Sequence, residues 1–166
     1  MAVAREYTDE EKRVLYGAAM QVGLAVMTAS SSGFEGTVHE FQTMLAAPRA
    51  AAAAFPNNGL IQAILSEEAR SGAGESRPTS DEDDLPKNDT QIQTETVDAC
   101  QAAANLVEQL ATPQEADEYK RWLLRVGEMV AHAGKEGGFL GFGKHEVSRS
   151  EAEVLRMVAS VLGIGG

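Results

Sequence analysis

The chain has 166 residues, a length that fits one domain and can bury a real core without disulfides or metals to hold it. Lys and Arg total 14 against 25 acids, a net charge of −11, which argues against nucleic acid or an anionic membrane surface as partner. Hydrophobic residues make up 43% but aromatics only 5%, and much of the apolar content is alanine, a mix that suits closely packed helices better than a β-sandwich.

In chain order, Met1–Lys12 is charged and lacks the apolar core of a secretory signal, and no later run is long enough for a membrane span. The expectation is a cytoplasmic protein. Thr8-Asp9-Glu10-Glu11 forms a capping box, in which the threonine hydroxyl accepts from the third helical N–H and Glu11 reaches back. Behind it Leu15, Ala18, Val22, Ala25, Val26 and Ala29 recur at helical spacing, and Ser30–Gly33 stops the helix. Thr37-Val38-His39-Glu40 offers a second capping box, opening a helix with Val38, Phe41, Met44 and Leu45. Pro48, with no N–H to give, should kink or restart that helix before Ala50–Ala54, an alanine run that could serve a homodimer. The turn Pro56–Gly59 leads into a short helix with Leu60, Ile61, Ile64 and Leu65.

Residues 71–90 change character. Glu75, Asp81–Asp84 and Asp89 dominate, Pro78 and Pro86 interrupt, and Leu85 stands almost alone as an apolar residue. Such a stretch buries too little surface to offset its ordering entropy and reads as an acidic linker or long loop. Beyond it, Val97, Cys100, Ala104, Val107 and Ala111 form one helical face, and the lone Cys100 reads as a small buried hydrophobe. Thr112-Pro113-Gln114-Glu115 combines a cap with proline at the first helical position. The helix it opens carries Trp122, Leu123, Val126, Met129, Val130 and Ala133 up to Gly134. A glycine-rich loop runs to Val147. Ser148 and Glu151 then start a last helix with Val154, Leu155, Val158, Val161 and Leu162 on its face, ended by Gly163. The expected fold is all-α: an antiparallel bundle of about six helices in a single domain spanning 1–166.

An internal echo divides that bundle. Val22-Gly23 through Ala29 and Val126-Gly127 through Ala133 share the pattern Val-Gly-x-x-Val-x-x-Ala. Each leads into a Ser/Gly loop containing Gly-Phe and then a capped helix with an early glutamate, which suggests two related helix–loop–helix halves. In the second half, Leu123–Gly163 joins an apolar helix ending Ala131-His132-Ala133-Gly134 to Val147-Ser148-Arg149-Ser150-Glu151 and a closing Leu162-Gly163. This stretch resembles the tellurite-resistance TerB-like family of small bacterial helical bundles. The resemblance implies a helical fold and a stress-associated role. Where the family places an acid before the loop glycine, this chain has Ala133, and the first half has Ser30–Ser32. The oxygen ligands a hard cation needs are therefore missing from both positions.

Candidate sites follow from the loops. Gly138–Lys144 fits the spacing of a phosphate-binding loop, but His145 stands where the Mg²⁺-ligating hydroxyl belongs and a helix precedes it, so nucleotide binding is rejected. Phe139, Leu140 and Phe142, set among glycines, either plug the bundle end or form a contact patch for a partner protein or a lipid surface. His132 and His145, with Glu136 or Glu146, make the alternative: a metal- or small-ligand-binding module with zinc-like donors. No nucleophile–base pattern appears; the serines sit in caps and linkers, and Glu10-Glu11 and Glu67-Glu68 read as solvated pairs. The sequence thus points to a non-catalytic helical interaction or scaffold protein with an unidentified protein partner and no cofactor.

Overall fold

A computed structural model of the chain describes residues 6–29, 33–72, 89–136 and 149–164, giving helical backbone alone at 33–40, 71, 72, 89 and 134–136. Six α-helices account for most of these residues: α1 (Asp9–Ala29), α2 (Gly33–Ala51), α3 (Gly59–Gly72), α4 (Asp89–Leu110), α5 (Pro113–Glu136) and α6 (Arg149–Leu162). A 3₁₀ turn, Ala52–Ala54, follows α2, and no strand occurs among the described residues. The protein is an all-α bundle.

Local chemistry sets most of the helix ends. Thr8 Oγ1 accepts from the Glu11 N–H at 3.1 Å while the Glu11 carboxylate accepts from the Thr8 N–H at 2.9 Å. Thr112 and Glu115 repeat the same box at 3.2 Å in both directions. At the other end of the chain Gly163 takes φ +70°, a backbone angle at which glycine has no Cβ to clash. Its N–H bonds Ser160 O and the next N–H, of Ile164, reaches Ala159 O, the paired bonds of a Schellman cap.

Several boundaries differ from the sequence expectation: α5 runs past Gly134 to Glu136, α3 and α4 reach Gly72 and Asp89 at the two ends of the expected linker, and α2 differs at both of its ends. Helix α2 begins at Gly33, a turn before Thr37, and Met44, Ala47 and Ala51 along it are buried. It also runs through Pro48 and ends at Ala51, so the proline sits inside the last turns instead of restarting a helix. The Pro48 carbonyl accepts the Trp122 indole N–H at 2.8 Å, a bond that ties this helix end to α5. Residues 73–88, most of the expected acidic linker, lie outside the described residues.

One apolar core draws on all six helices. Tyr119 and Trp122 are its largest members and tilt against each other with ring centroids 5.6 Å apart. The Tyr119 hydroxyl donates to Leu15 O at 2.7 Å, and a Cβ on Gly23 would touch both Met44 and Val130, so α1 and α5 run parallel. Helix α2 opposes α5, as the Trp122–Pro48 bond and the Met44–Val130 neighbourhood show. Helix α4 runs antiparallel to α1: Gln21 Nε2 donates to Thr96 Oγ1 and Ile92 O at 3.3 and 3.4 Å, while Val14 lies near Ala102.

Candidate functional site

The structure divides the residues singled out in the sequence into three groups. Phe139, Leu140, Phe142, His145 and Glu146 lie outside the described residues. His132 is exposed on α5, and Glu136 belongs to the last turn of that helix. Among the described residues, no three His, Cys, Asp or Glu side chains stand together as a metal site would require. The third group moved inward or outward against expectation. Phe41 and Leu45, read as part of an apolar helical pattern, are 48% and 54% exposed. Glu67, read as solvated, is buried beside Arg70 at 2.9 Å.

The outward pair follows from how α2 is seated. Met44, Ala47 and Ala51 face the core, at three- and four-residue steps, and Pro48 is buried with them. Phe41 and Leu45 lie one helical turn apart on another face, and the next step along that line is Arg49, also exposed. Beside Arg49 opens a groove of about 530 Å³ between the end of α2 and α3, walled by Ala52, Ala53, Pro56, Leu65 and Ala69. The Glu68 carboxylate stands 3.9 Å from the Arg49 guanidinium at its edge. Tyr16 on α1 is half-buried nearby, and its phenol is pushed above its ordinary value by burial and by the Glu68 charge, against the opposing pull of Arg49. Large apolar side chains left in water at helical spacing, next to a groove, are the form that helix-to-partner contacts take.

The buried polar groups have structural work. Asn58 Oδ1 caps α3 by accepting from the Ile61 N–H at 3.0 Å. Its Nδ2 donates to Glu118 Oε2 at 2.9 Å and Glu115 O at 3.3 Å, pinning α3 to the start of α5. Thr96 Oγ1 donates to Ile92 O at 2.7 Å, turning its hydroxyl back into its own helix, while it accepts from Gln21. Cys100 is fully buried, as its place in the α4 pattern implied, and burial pushes its thiol up to about 12. At neutral pH it is an inert thiol.

The sequence reading passed over Tyr119 and Asn58. The signal for Asn58 was present, since Asn at the first non-helical position before Leu60-Ile61 is an ordinary cap. Nothing local marks Tyr119, whose neighbours read Asp-Glu-Tyr-Lys-Arg.

No protein-family model matches this chain, and no curated protein or solved structure matches it either.

Proposed function

We propose that the protein is a non-catalytic helical interaction or scaffold protein whose contact surface lies at the α2 end of the bundle. The observation that carries this reading is the exposure of Phe41 and Leu45, one turn apart on a helix whose adjoining face is packed into the core. Each is already about half covered, so burying the pair against a partner would release roughly 1 kcal/mol per side chain. The chain leaves α5 at the same end, since Val130 neighbours Met44, and continues into the segment that carries Phe139, Leu140 and Phe142. We propose those three residues as further contact residues on the strength of their sequence alone. The TerB-like pattern of Leu123–Gly163 supports a bacterial, stress-associated setting. No helix among the described residues is long and apolar enough to cross a membrane, and with the acidic charge this favours a cytoplasmic site of action.

Affinity capture from native lysate tests the reading, with Phe41→Ser/Leu45→Ser and Phe139→Ser/Leu140→Ser/Phe142→Ser variants run beside wild type. One defined protein should be retained by wild type and lost from each variant while the helical circular-dichroism signal stays unchanged. Equal capture by all three proteins would refute the assignment of this surface. Loss of helical signal in a variant would place its side chains in the fold instead.

A further inference from the structure

On a different face, the surface between α1 and α4 has a shape and charge that the α2 reading leaves unused. The two helices run antiparallel and leave a groove of about 330 Å³ floored by Val14, Ala102 and Leu106, with Thr8, Glu10 and Glu11 at one end. Val14, a β-branched apolar residue in the second turn of α1, is 42% exposed there.

Gly17 follows Val14 at the next turn of α1 and is exposed. A Cβ placed on it would meet nothing within 4 Å, so no neighbour among the described residues requires a glycine. Gly23 and Gly127, by contrast, sit against side chains that a Cβ would strike at under 3.0 Å. An unforced glycine inside a helix costs about 1 kcal/mol relative to alanine. What it provides is bare backbone beside the groove, against which another helix can lie closely.

Charge selects the occupant. Helix α4 carries Asp89, Glu95, Asp98 and Glu108 and has no Lys or Arg along its whole length. Asp98, Ala102 and Leu106 recur at four-residue steps, which sets a carboxylate in line with the apolar floor. The α1 end of the groove adds Glu10. The cations in the neighbourhood are mostly engaged elsewhere: Lys12 lies 3.7 Å from Asp9, Lys120 pairs with Glu108, and Arg13 is exposed. Glu10 and Asp98 enter no ion pair among the described residues, so the rim is net acidic. A second copy of the chain would bring two such rims together, and anionic lipid or nucleic acid would be repelled.

We infer that the α1–α4 groove docks a basic amphipathic helix of a partner protein. Its apolar residues, at three- and four-residue spacing, seat on Val14, Ala102 and Leu106, its backbone passes Gly17, and its flanking Lys and Arg meet Glu10 and Asp98.

Fluorescence anisotropy of a labelled eighteen-residue Leu/Lys amphipathic helix, titrated with the full chain, tests this. Leu/Glu and sequence-scrambled Leu/Lys peptides serve as controls. The deciding variant is Gly17→Leu, which changes no charge and enters open space, so it should melt no lower than wild type. The Leu/Lys helix should bind wild type, bind Gly17→Leu about tenfold or more weakly, and bind Phe41→Ser/Leu45→Ser as well as wild type. The Leu/Glu and scrambled peptides should bind far less. Equal binding to wild type and Gly17→Leu would reduce the interaction to diffuse charge attraction and overturn the proposal. Binding lost only in the Phe41/Leu45 variant would transfer the site to α2, and a wild-type dimer dissolved by Gly17→Leu would make the occupant a second copy; either outcome also overturns it.

Discussion

The α1–α2 half and the α5–α6 half place glycine in the same structural role and fill the surrounding space differently. When Val22-Gly23 is aligned with Val126-Gly127, and Thr37 with Ser148, Met44 corresponds to Leu155. A Cβ on Gly23 would stand 2.7 Å from Met44 Cγ, and one on Gly127 would stand 2.9 Å from Leu155 Cδ2. Each glycine also faces the other half's first helix: Gly23 nears Val130, and Gly127 nears Val22 and Val26. The echo in the sequence therefore marks two matched close approaches between helices. Side-chain volume is distributed in the opposite sense. Where α5 has Trp122 and Leu123, α1 has Ala18 and Ala19; where α6 has Val158 and Leu162, α2 has Ala47 and Ala51, and all of these are buried. Large residues on α5 are thus matched by small ones on α2, and small ones on α1 by large ones on α6. A core must be filled to constant density, but it does not matter which helix supplies the volume.

The largest effect should come from removing the volume that has no counterpart. Trp122→Ala would empty the centre of the core and orphan its bond to Pro48 O, at a cost of about 3–5 kcal/mol, whereas shortening the half-exposed Leu45 to Ala should cost far less. Urea unfolding of both variants measures the contrast. Similar midpoints would mean that the two faces of α2–α5 are less different than their burial implies.

Next in size is an alkaline loss that belongs to one region only. Burial raises the Cys100 thiol from its ordinary 9.0 to about 12 and the Tyr119 phenol well above 10.0, the latter helped by the neighbouring thiol. Below pH 9 both groups are protonated whether the chain is folded or not, and their contribution is complete. Above that, the unfolded chain releases protons that the folded one keeps, so stability falls as pH rises, by at most about 1.4 kcal/mol per unit for each group. Melting temperatures should drop between pH 8 and pH 11, and a Cys100→Ala/Tyr119→Phe variant should drop less steeply. Parallel curves would show that neither group is as shielded as its position suggests.

The smallest effect separates the two glycines. Gly127→Ala presses at once on Leu155 and on the stiff Val22, from two helices, while Gly23→Ala meets mainly Met44, whose side chain can swing aside. After the gain in helix propensity, Gly127→Ala should be destabilised by about 1 kcal/mol and Gly23→Ala should be nearly neutral. Thermal melts of the pair decide this; equal melting would mean that both halves yield alike.

How much of this was legible in the sequence can be argued from single residues. Thr8 with Glu11, Thr112 with Glu115, and Gly163 marked helix ends correctly because a cap involves only groups three or four residues apart. Cys100, Val107, Trp122 and Val126 were read as core because each sits in an unbroken apolar stripe. The Val-Gly echo was visible too, although its meaning as a close approach was not. The α1–α4 groove was invisible, since it forms only when Val14 meets Ala102 and Leu106 across two helices far apart in the chain.

Local spacing alone thus determined that the chain is helical, where most helices begin and end, and which stripe of most helices is apolar. Tertiary structure decided which apolar residues are covered. Phe41 and Leu45 belong to an apolar pattern yet face water, whereas Tyr119, between charged neighbours, is buried on the Leu15 carbonyl. The reason is that periodicity orients a side chain only about its own helix axis. Burial depends on whether another helix lies on that side, and the packing of the whole bundle sets that.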